Sequence, residues 1–210
     1  MLNIINALNW RYAANAYDTN KKLSDEQVNT LIESIRLAPS SYGLPVYKVI
    51  HVKDIETRKK LKAVAWDQPQ ITDASDLFVF AVKTDLGDAS VDDYVNLIME
   101  TRNVSAESLS KFAAMIKGTL KSLSEDHKTT WAAKQAYLAL GVLLSTAALE
   151  EIDSTPMEGF DKKQFDEILG LKDLGLTSTV VCTAGYRSEN DSSASMAKVR
   201  VSKENLVIEK

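Results

Sequence analysis

Apolar positions recur at helical spacing along most of the chain and follow strand-like patterns in only a few places. Residues 4–10 read as a short helix. Ser24, with Gln27 three residues on, forms a capping-box signal, and Val28, Leu31, Ile32 and Ile35 supply one apolar stripe behind it. VYKVIHV (46–52) alternates as a strand does, Asp54 can cap a helix through Leu61, and SDLFVFAVK (75–83) reads as a buried strand. Helical spacing resumes over 91–101 and 106–123. The longest helix is expected over 128–150, where Trp131, Ala132, Gln135, Ala136, Leu138, Ala139, Val142, Leu143 and Ala147 leave almost no polar face. A helix apolar nearly all round is buried on several sides, so this one is the spine of the domain or part of a subunit interface. A short helix over 161–169 and a β-branched strand over 177–186 follow. The tail, VRVSKENLVIEK, has strand character without a hairpin partner, and its LVI predicts that it adds onto a sheet, with that of another subunit as the candidate. Three or four strands among many helices make an α+β architecture. No repeat or Pro/Gly/Ser-rich linker divides the sequence, so residues 1–210 read as one domain.

Composition narrows the class. With 45% apolar and 26% charged residues the chain has the balance of a globular protein. Its net charge of −4, from 25 basic and 29 acidic side chains, argues against nonspecific nucleic-acid binding, yet a few converging cations could still hold a small anion. Cys182 is the only cysteine, which excludes an intramolecular disulfide and a cysteine zinc site; within TSTVVCTAG it reads as a buried structural thiol. The N-terminus lacks the basic and apolar regions of a secretory signal. The longest apolar run, AYLALGVLLSTAALEE, falls short of the about 20 residues a bilayer requires. The expectation is a cytoplasmic protein with neither membrane nor nucleic acid as partner.

Familiar catalytic constellations are missing: no GxGxxG, P-loop, HExxH or GxSxG occurs, and the two histidines, His51 and His127, are placed in a strand and a polar loop. If the chain is an enzyme, a cofactor carries the difficult chemistry. Three stretches could meet a ligand. Arg11 ends a helix in WRYAANAYD; Pro39, Ser40, Ser41 and Gly43 leave another in RLAPSSYGLPVY; Lys198 and Arg200 stand two apart in AKVR, on one side of an extended segment. Each also has a plain structural reading: a neutralised helix end, an ordinary helix-ending loop, a solvated edge.

Taken in order, R-Y-x-x-x-x-Y-D near the N-terminus, A-P-S-S-Y-G-L, QPQITDAS, AAKQAYLALG, PMEGFD and the late KVR resemble the FMN-dependent nitroreductase family over nearly the whole chain. The resemblance implies a central, mostly antiparallel sheet surrounded by helices, in an intertwined homodimer that exchanges C-terminal strands. It implies that the turn of Pro156, Met157, Glu158 and Gly159 lies against the flavin, with the Glu158 and Gly159 amides facing N5 and O4. Preorganised N–H dipoles there stabilise charge developing on the ring, and no side-chain nucleophile is expected. Arg11, Lys198 and Arg200 are implied to hold the FMN phosphate, with Tyr12, Ala13, Asn15, Asp67 and Gln70 also at the cofactor. Ser40 and Ser41 would reach it from the partner subunit, and Tyr42 is also implied at the cofactor.

The implied activity is transfer of hydride from NADH or NADPH through FMN to a nitroaromatic, a quinone or a similar small acceptor, by a ping-pong mechanism. Two other readings are a flavin-binding protein with weak or lost turnover, serving storage, sensing or interaction, and a structural helical dimer without cofactor. The sequence departs from the family pattern at Asn15, where lysine is common, at Asp67, where asparagine is common, at Pro45 and Val46, and at Asp76. One cation fewer and one carboxylate more disfavour a negatively charged reduced ring by about 1–3 kcal/mol, where about 1.4 kcal/mol is 30 mV for a two-electron couple. A lower flavin potential than in a relative with Lys and Asn at these positions is therefore expected. Tyr42, Phe112 and Met115 read equally as lining of the acceptor face or as core.

Overall fold

The computed structural model describes residues 3–210; Met1 and Leu2, included in the one-domain expectation, lie outside them. Strands β1 (Tyr47–His51), β2 (Asp76–Lys83), β3 (Asp153–Met157) and β4 (Leu176–Gly185) form one antiparallel sheet in the order β1-β2-β4-β3. The period of two decides its faces. Phe78, Phe80 and Val82 of β2 join Val180 and Cys182 of β4 in the core beneath helix α7 (Glu125–Leu149). Leu77 and Val79 point the other way, with Val181, toward Leu61 and Phe165. Those two residues belong to α3 (Ile55–Ala63) and α8 (Lys162–Leu169). Both sheet faces are thus covered, and β2 is buried throughout its interior.

Capping sets most helix starts. Asn3 caps α1 (Ile4–Trp10), Ser24 and Gln27 form the capping box of α2 (Asp25–Arg36), and Asp54 and Asp161 accept from Thr57 N and Gln164 N to begin α3 and α8. Further helices are α4 (Gln70–Asp73), α5 (Asp88–Arg102) and α6 (Ala106–Ser122).

The structure corrects several expectations. Helix α5 starts three residues before the expected Val91, behind Gly87. Helix α7 starts at Glu125, because Ser124 accepts from His127 N; His127 therefore sits in the first helical turn, not in a loop. Strand β3 was not foreseen, since DSTPM neither alternates nor is β-branched throughout. It lies at the sheet margin, where Pro156 costs no interior ladder bond.

Helix α7 is not buried all round. Ala132, Ala136, Ala139 and Leu143 pack inward, whereas Tyr137 and Leu138 are 38% and 50% exposed, as are Ile4 and Ile5 of the adjoining α1 at 45% and 61%. At 25 residues it is also longer than its apolar run and long enough to cross a bilayer; its place beneath the sheet accounts for the apolar face. The tail forms no strand with its own sheet. Ser202 caps a one-turn helix α9 (Lys203–Leu206), and Val199, Val201 and Ile208 are exposed.

Candidate functional site

The segment after α1 runs extended along the β3 margin. Ala13 bridges to Ser154, and Tyr17 bridges to Arg187. The buried Tyr17 hydroxyl meets Thr155 Oγ1 at 3.1 Å and Thr183 Oγ1 at 3.0 Å, and Thr155 Oγ1 donates to Ala14 O at 2.7 Å. From the other side, the buried Asp191 carboxylate accepts from Asn15 N at 2.8 Å and Ala16 N at 3.2 Å. Tyr12 packs with Ala14 and Tyr17, whereas Ala13 is exposed. The backbone carrying Arg11 is thus clamped from both sides.

Three cations converge at this point. Lys198 Nζ donates to Leu8 O at 2.9 Å and to Arg11 O. Burial lowers the pKa of Arg11, and Arg200 lowers it further; Lys198 is lowered by burial and then by Arg11 and Arg200. Arg11 Nε is buried and has no hydrogen-bond partner. None of the three makes an ion pair among the described residues. Cys182, beneath Arg11, supplies no counter-charge, because burial pushes its thiol up to about 12. A cluster of like charges with an unsatisfied buried donor is costly unless an anion completes it.

A second group forms at the end of β3. Phe160 N donates to Glu158 O at 2.9 Å, and Asp161 N to Val64 O at 2.9 Å, so the chain turns sharply into α8. The Glu158 and Gly159 amides donate to no group among the described residues. Gln68 Nε2 ties this turn to the one after α3, donating to Gly159 O at 2.7 Å and Ala65 O at 3.1 Å. Trp66, 80% exposed and at φ +53°, lies directly over Gly159, where a Cβ would stand 2.6 Å from its Cε3 atom. A side chain at this position would have to displace that exposed ring. Asp67 is exposed at φ +52°, while Gln70 is 9% exposed with its Oε1 buried and unpartnered.

Pro156, Met157 and Glu158 line an otherwise apolar cavity of about 440 Å³ against α7. Tyr137 of α7 closes its rim, donating its hydroxyl to Glu158 Oε1. Burial and the adjacent carboxylate both raise the pKa of this phenol, which stays protonated at neutral pH.

The structure therefore gathers Arg11, Lys198 and Arg200 into one group and Glu158 and Gly159 into another, with the Asp67 turn beside it. Asn15 turns its side chain to Ser193 Oγ at 2.7 Å. The Ser40–Gly43 loop is held elsewhere. Ser41 N donates to the buried Gln135 Oε1 at 2.8 Å, Tyr94 donates to Tyr42 O at 3.0 Å, and Tyr42 adopts φ +60°. Ser40 lines a separate cavity of about 610 Å³ between α2 and β1. Phe112 packs against the core and Met115 is half-exposed. Tyr137 and Trp66 were missed by sequence reading. Tyr137 stands one turn before Gly141, a pattern indistinguishable from core packing until β3 is placed.

Comparison with known proteins gives a consistent picture. Residues 8–186 match the family described as "Nitroreductase family". A Staphylococcus saprophyticus protein named "Putative NAD(P)H nitroreductase SSP0379" is 33% identical over 97% of this chain and 95% of its own length. Among solved structures, a nitroreductase-fold protein of Exiguobacterium sibiricum in complex with FMN superposes with a TM-score of 0.85 at 19% identity, covering 100% of this chain and 98% of that one. A nitroreductase family protein of Streptococcus pneumoniae gives 0.84 at 22% identity, over 99% and 100%.

Proposed function

The chain belongs to the nitroreductase family, and from that premise we propose that it is an FMN-dependent oxidoreductase that takes hydride from NADH or NADPH and passes it to a small acceptor such as a nitroaromatic or a quinone. The residues present fit that cofactor. Arg11, Lys198 and Arg200 are complementary to a phosphate dianion, and Arg11 Nε is a buried donor lacking an acceptor. The Glu158 and Gly159 amides are two free donors at a ring-sized apolar cavity, suited to the carbonyl and aza acceptors of an isoalloxazine. The buried Gln70 Oε1 lacks a donor, and the imide N–H of the ring is one.

When bound, FMN supplies the hydride chemistry between donor and acceptor. The protein's contribution is positional and electrostatic. The cation cluster anchors the phosphate, the free amides offer dipoles to growing negative charge, and the apolar cavity walls receive the ring. A reductase drawing on NAD(P)H acts where that donor is held, the cytoplasm.

The reading extends to a second copy of the chain. Strand β1 is the free edge of the sheet, while Ala13 covers the β3 margin. The tail is rooted near that β3 margin by Lys198, at the opposite side of the sheet from β1. Its exposed Val199, Val201 and Ile208, and the exposed faces of α1 and α7, suit a partner subunit whose β1 edge and adjoining cavity receive them.

The observation that carries the proposal is the three-cation cluster without a carboxylate. Its test is an absorbance spectrum of the purified protein, followed by anaerobic NADH and NADPH titration. A yellow protein that bleaches supports the oxidoreductase; one that stays colourless after incubation with FMN rejects it. A yellow protein that neither donor bleaches supports the second reading, a flavin-binding protein with little turnover. Asn15 favours it, because no cation stands at the position where lysine is common in the family.

A further inference from the structure

Among the described residues, Tyr137 and Glu158 are the only ones with polar side chains in the lining of the cavity beside the β3–α8 turn; the rest is Leu140, Gly141, Leu144, Pro156, Met157 and Val180. Both are partly open to solvent, which screens them, yet with so few polar groups in the lining they dominate the local field. Here those groups form a single unit, because the Tyr137 hydroxyl donates to Glu158 Oε1. Among the described residues the Glu158 carboxylate has no other hydrogen-bond partner. Gly141, one helical turn beyond Tyr137, leaves open space where a side chain would stand, so nothing on α7 crowds the phenol from that side.

We propose that Tyr137 is a positioning residue of the flavin turn: by donating to Glu158 it holds that carboxylate against α7 and reduces the negative charge that the cavity presents to a bound redox ring. This rests on the FMN reading above. The two residues stand 21 apart, one on α7 and one just after the next element, β3, and Glu158 also carries one of the two free amides of the turn. The phenol therefore acts on the carboxylate's orientation and on the backbone that would meet the ring. A ring that gains negative charge on reduction is opposed by a neighbouring carboxylate. A phenol that shares its proton with that carboxylate weakens the opposition.

The test uses FMN-loaded wild type, Tyr137→Phe, Glu158→Gln and the double variant, with the flavin midpoint potential as readout and FMN affinity measured first by fluorescence quenching. Tyr137→Phe is expected to disfavour reduction about tenfold in the equilibrium constant, about 30 mV for a two-electron couple. Glu158→Gln is expected to favour reduction, and adding Tyr137→Phe to it should change nothing further, since the phenol then has no carboxylate to modulate. A Tyr137→Phe potential equal to wild type, or an undiminished shift in the Glu158→Gln background, overturns the proposal while leaving the flavin reading intact. Wild type that fails to bind FMN overturns both. Should Tyr137→Phe not fold, Glu158→Gln decides: a potential that does not rise removes the carboxylate from the cavity's electrostatics and the proposal with it.

Discussion

Arg187 donates its Nε to Asp153 Oδ1 at 2.7 Å while its guanidinium lies 4.2 Å from the Trp10 ring centre and 4.5 Å from that of Tyr12. The backbone N–H of Arg187 also donates to Asp153 Oδ2 at 2.8 Å. One ion pair thus pins two aromatic residues that flank Arg11, joining the N-terminal segment to the margin of the sheet. Removing one partner of such a pair leaves the other charge buried and uncompensated. Asp153→Ala is expected to cost about 3 kcal/mol, read as a shift in the urea midpoint. It should also weaken FMN binding, because Arg11 loses its frame. Unchanged stability would make the pair a surface ornament.

The cation cluster predicts opposite effects on the free and the loaded protein. Arg11→Leu relieves repulsion from Lys198 and Arg200 and removes an unsatisfied buried donor, so the FMN-free protein should melt no lower than wild type. The same change should weaken FMN binding at least about tenfold, since a charge-assisted hydrogen bond contributes about 1.5–3 kcal/mol. Inorganic phosphate should raise the melting temperature of the FMN-free wild type more than that of Arg11→Leu. Equal FMN affinity for the two proteins would locate the phosphate elsewhere.

Asp67 and Asn15 bear on the flavin potential. Asp67→Asn removes a carboxylate from the turn tied to Gly159 through Gln68 and should raise the potential by about 30 mV or more, about 1.4 kcal/mol. Asn15→Lys removes the Asn15 donor to Ser193 Oγ and adds a cation at an exposed position, so it too should raise the potential. Potentiometric titration of each single variant checks both shifts.

Asp76 links stability to pH. Burial opposes its ionisation, but the His51 ring at 2.7 Å, the Ser75 hydroxyl at 2.6 Å and the nearby Arg58 guanidinium outweigh it and hold the carboxyl below the usual range. A depressed carboxyl contributes stability above its unfolded value of about 3.9 and loses it as pH falls through the lower folded value. Urea unfolding between about pH 5 and about pH 2 should show this loss in wild type and a shallower acid limb in Asp76→Asn. Parallel limbs would remove Asp76 from the linkage.

Gly43 predicts a local fold defect. It adopts φ +75°, and a Cβ there would overlap the Tyr94 hydroxyl that donates to Tyr42 O. Gly43→Ala should destabilise by about 2 kcal/mol, from left-handed strain plus the displaced bond. Tyr94→Phe, which frees the space but not the backbone angle, should recover only part of that loss in the double variant.

Local chemistry was enough for much of this molecule. Ser24 and Asp54 cap the helices they are expected to cap, and the β2 and β4 strands are legible, because these features depend on near neighbours and on a period of two. The motif order also named the family. Strand β3 was not legible, since DSTPM becomes a strand only through pairing with β4 and through the side-chain bonds of Tyr17 and Thr155. Helix α7 read as uniformly apolar; its division into a buried face and an exposed one depends on where the sheet lies. The same holds for chemistry. Arg11, Lys198 and Arg200 were visible as three cations, but their convergence, the orphaned Nε and the absence of a carboxylate follow only from the chain ends meeting at the β3 margin. Tyr137 and Glu158 stand 21 residues apart on different elements, and the hydrogen bond that couples them exists only once helix and turn share a cavity wall. Capping and periodicity are written in neighbouring residues; electrostatic partnership requires the third dimension.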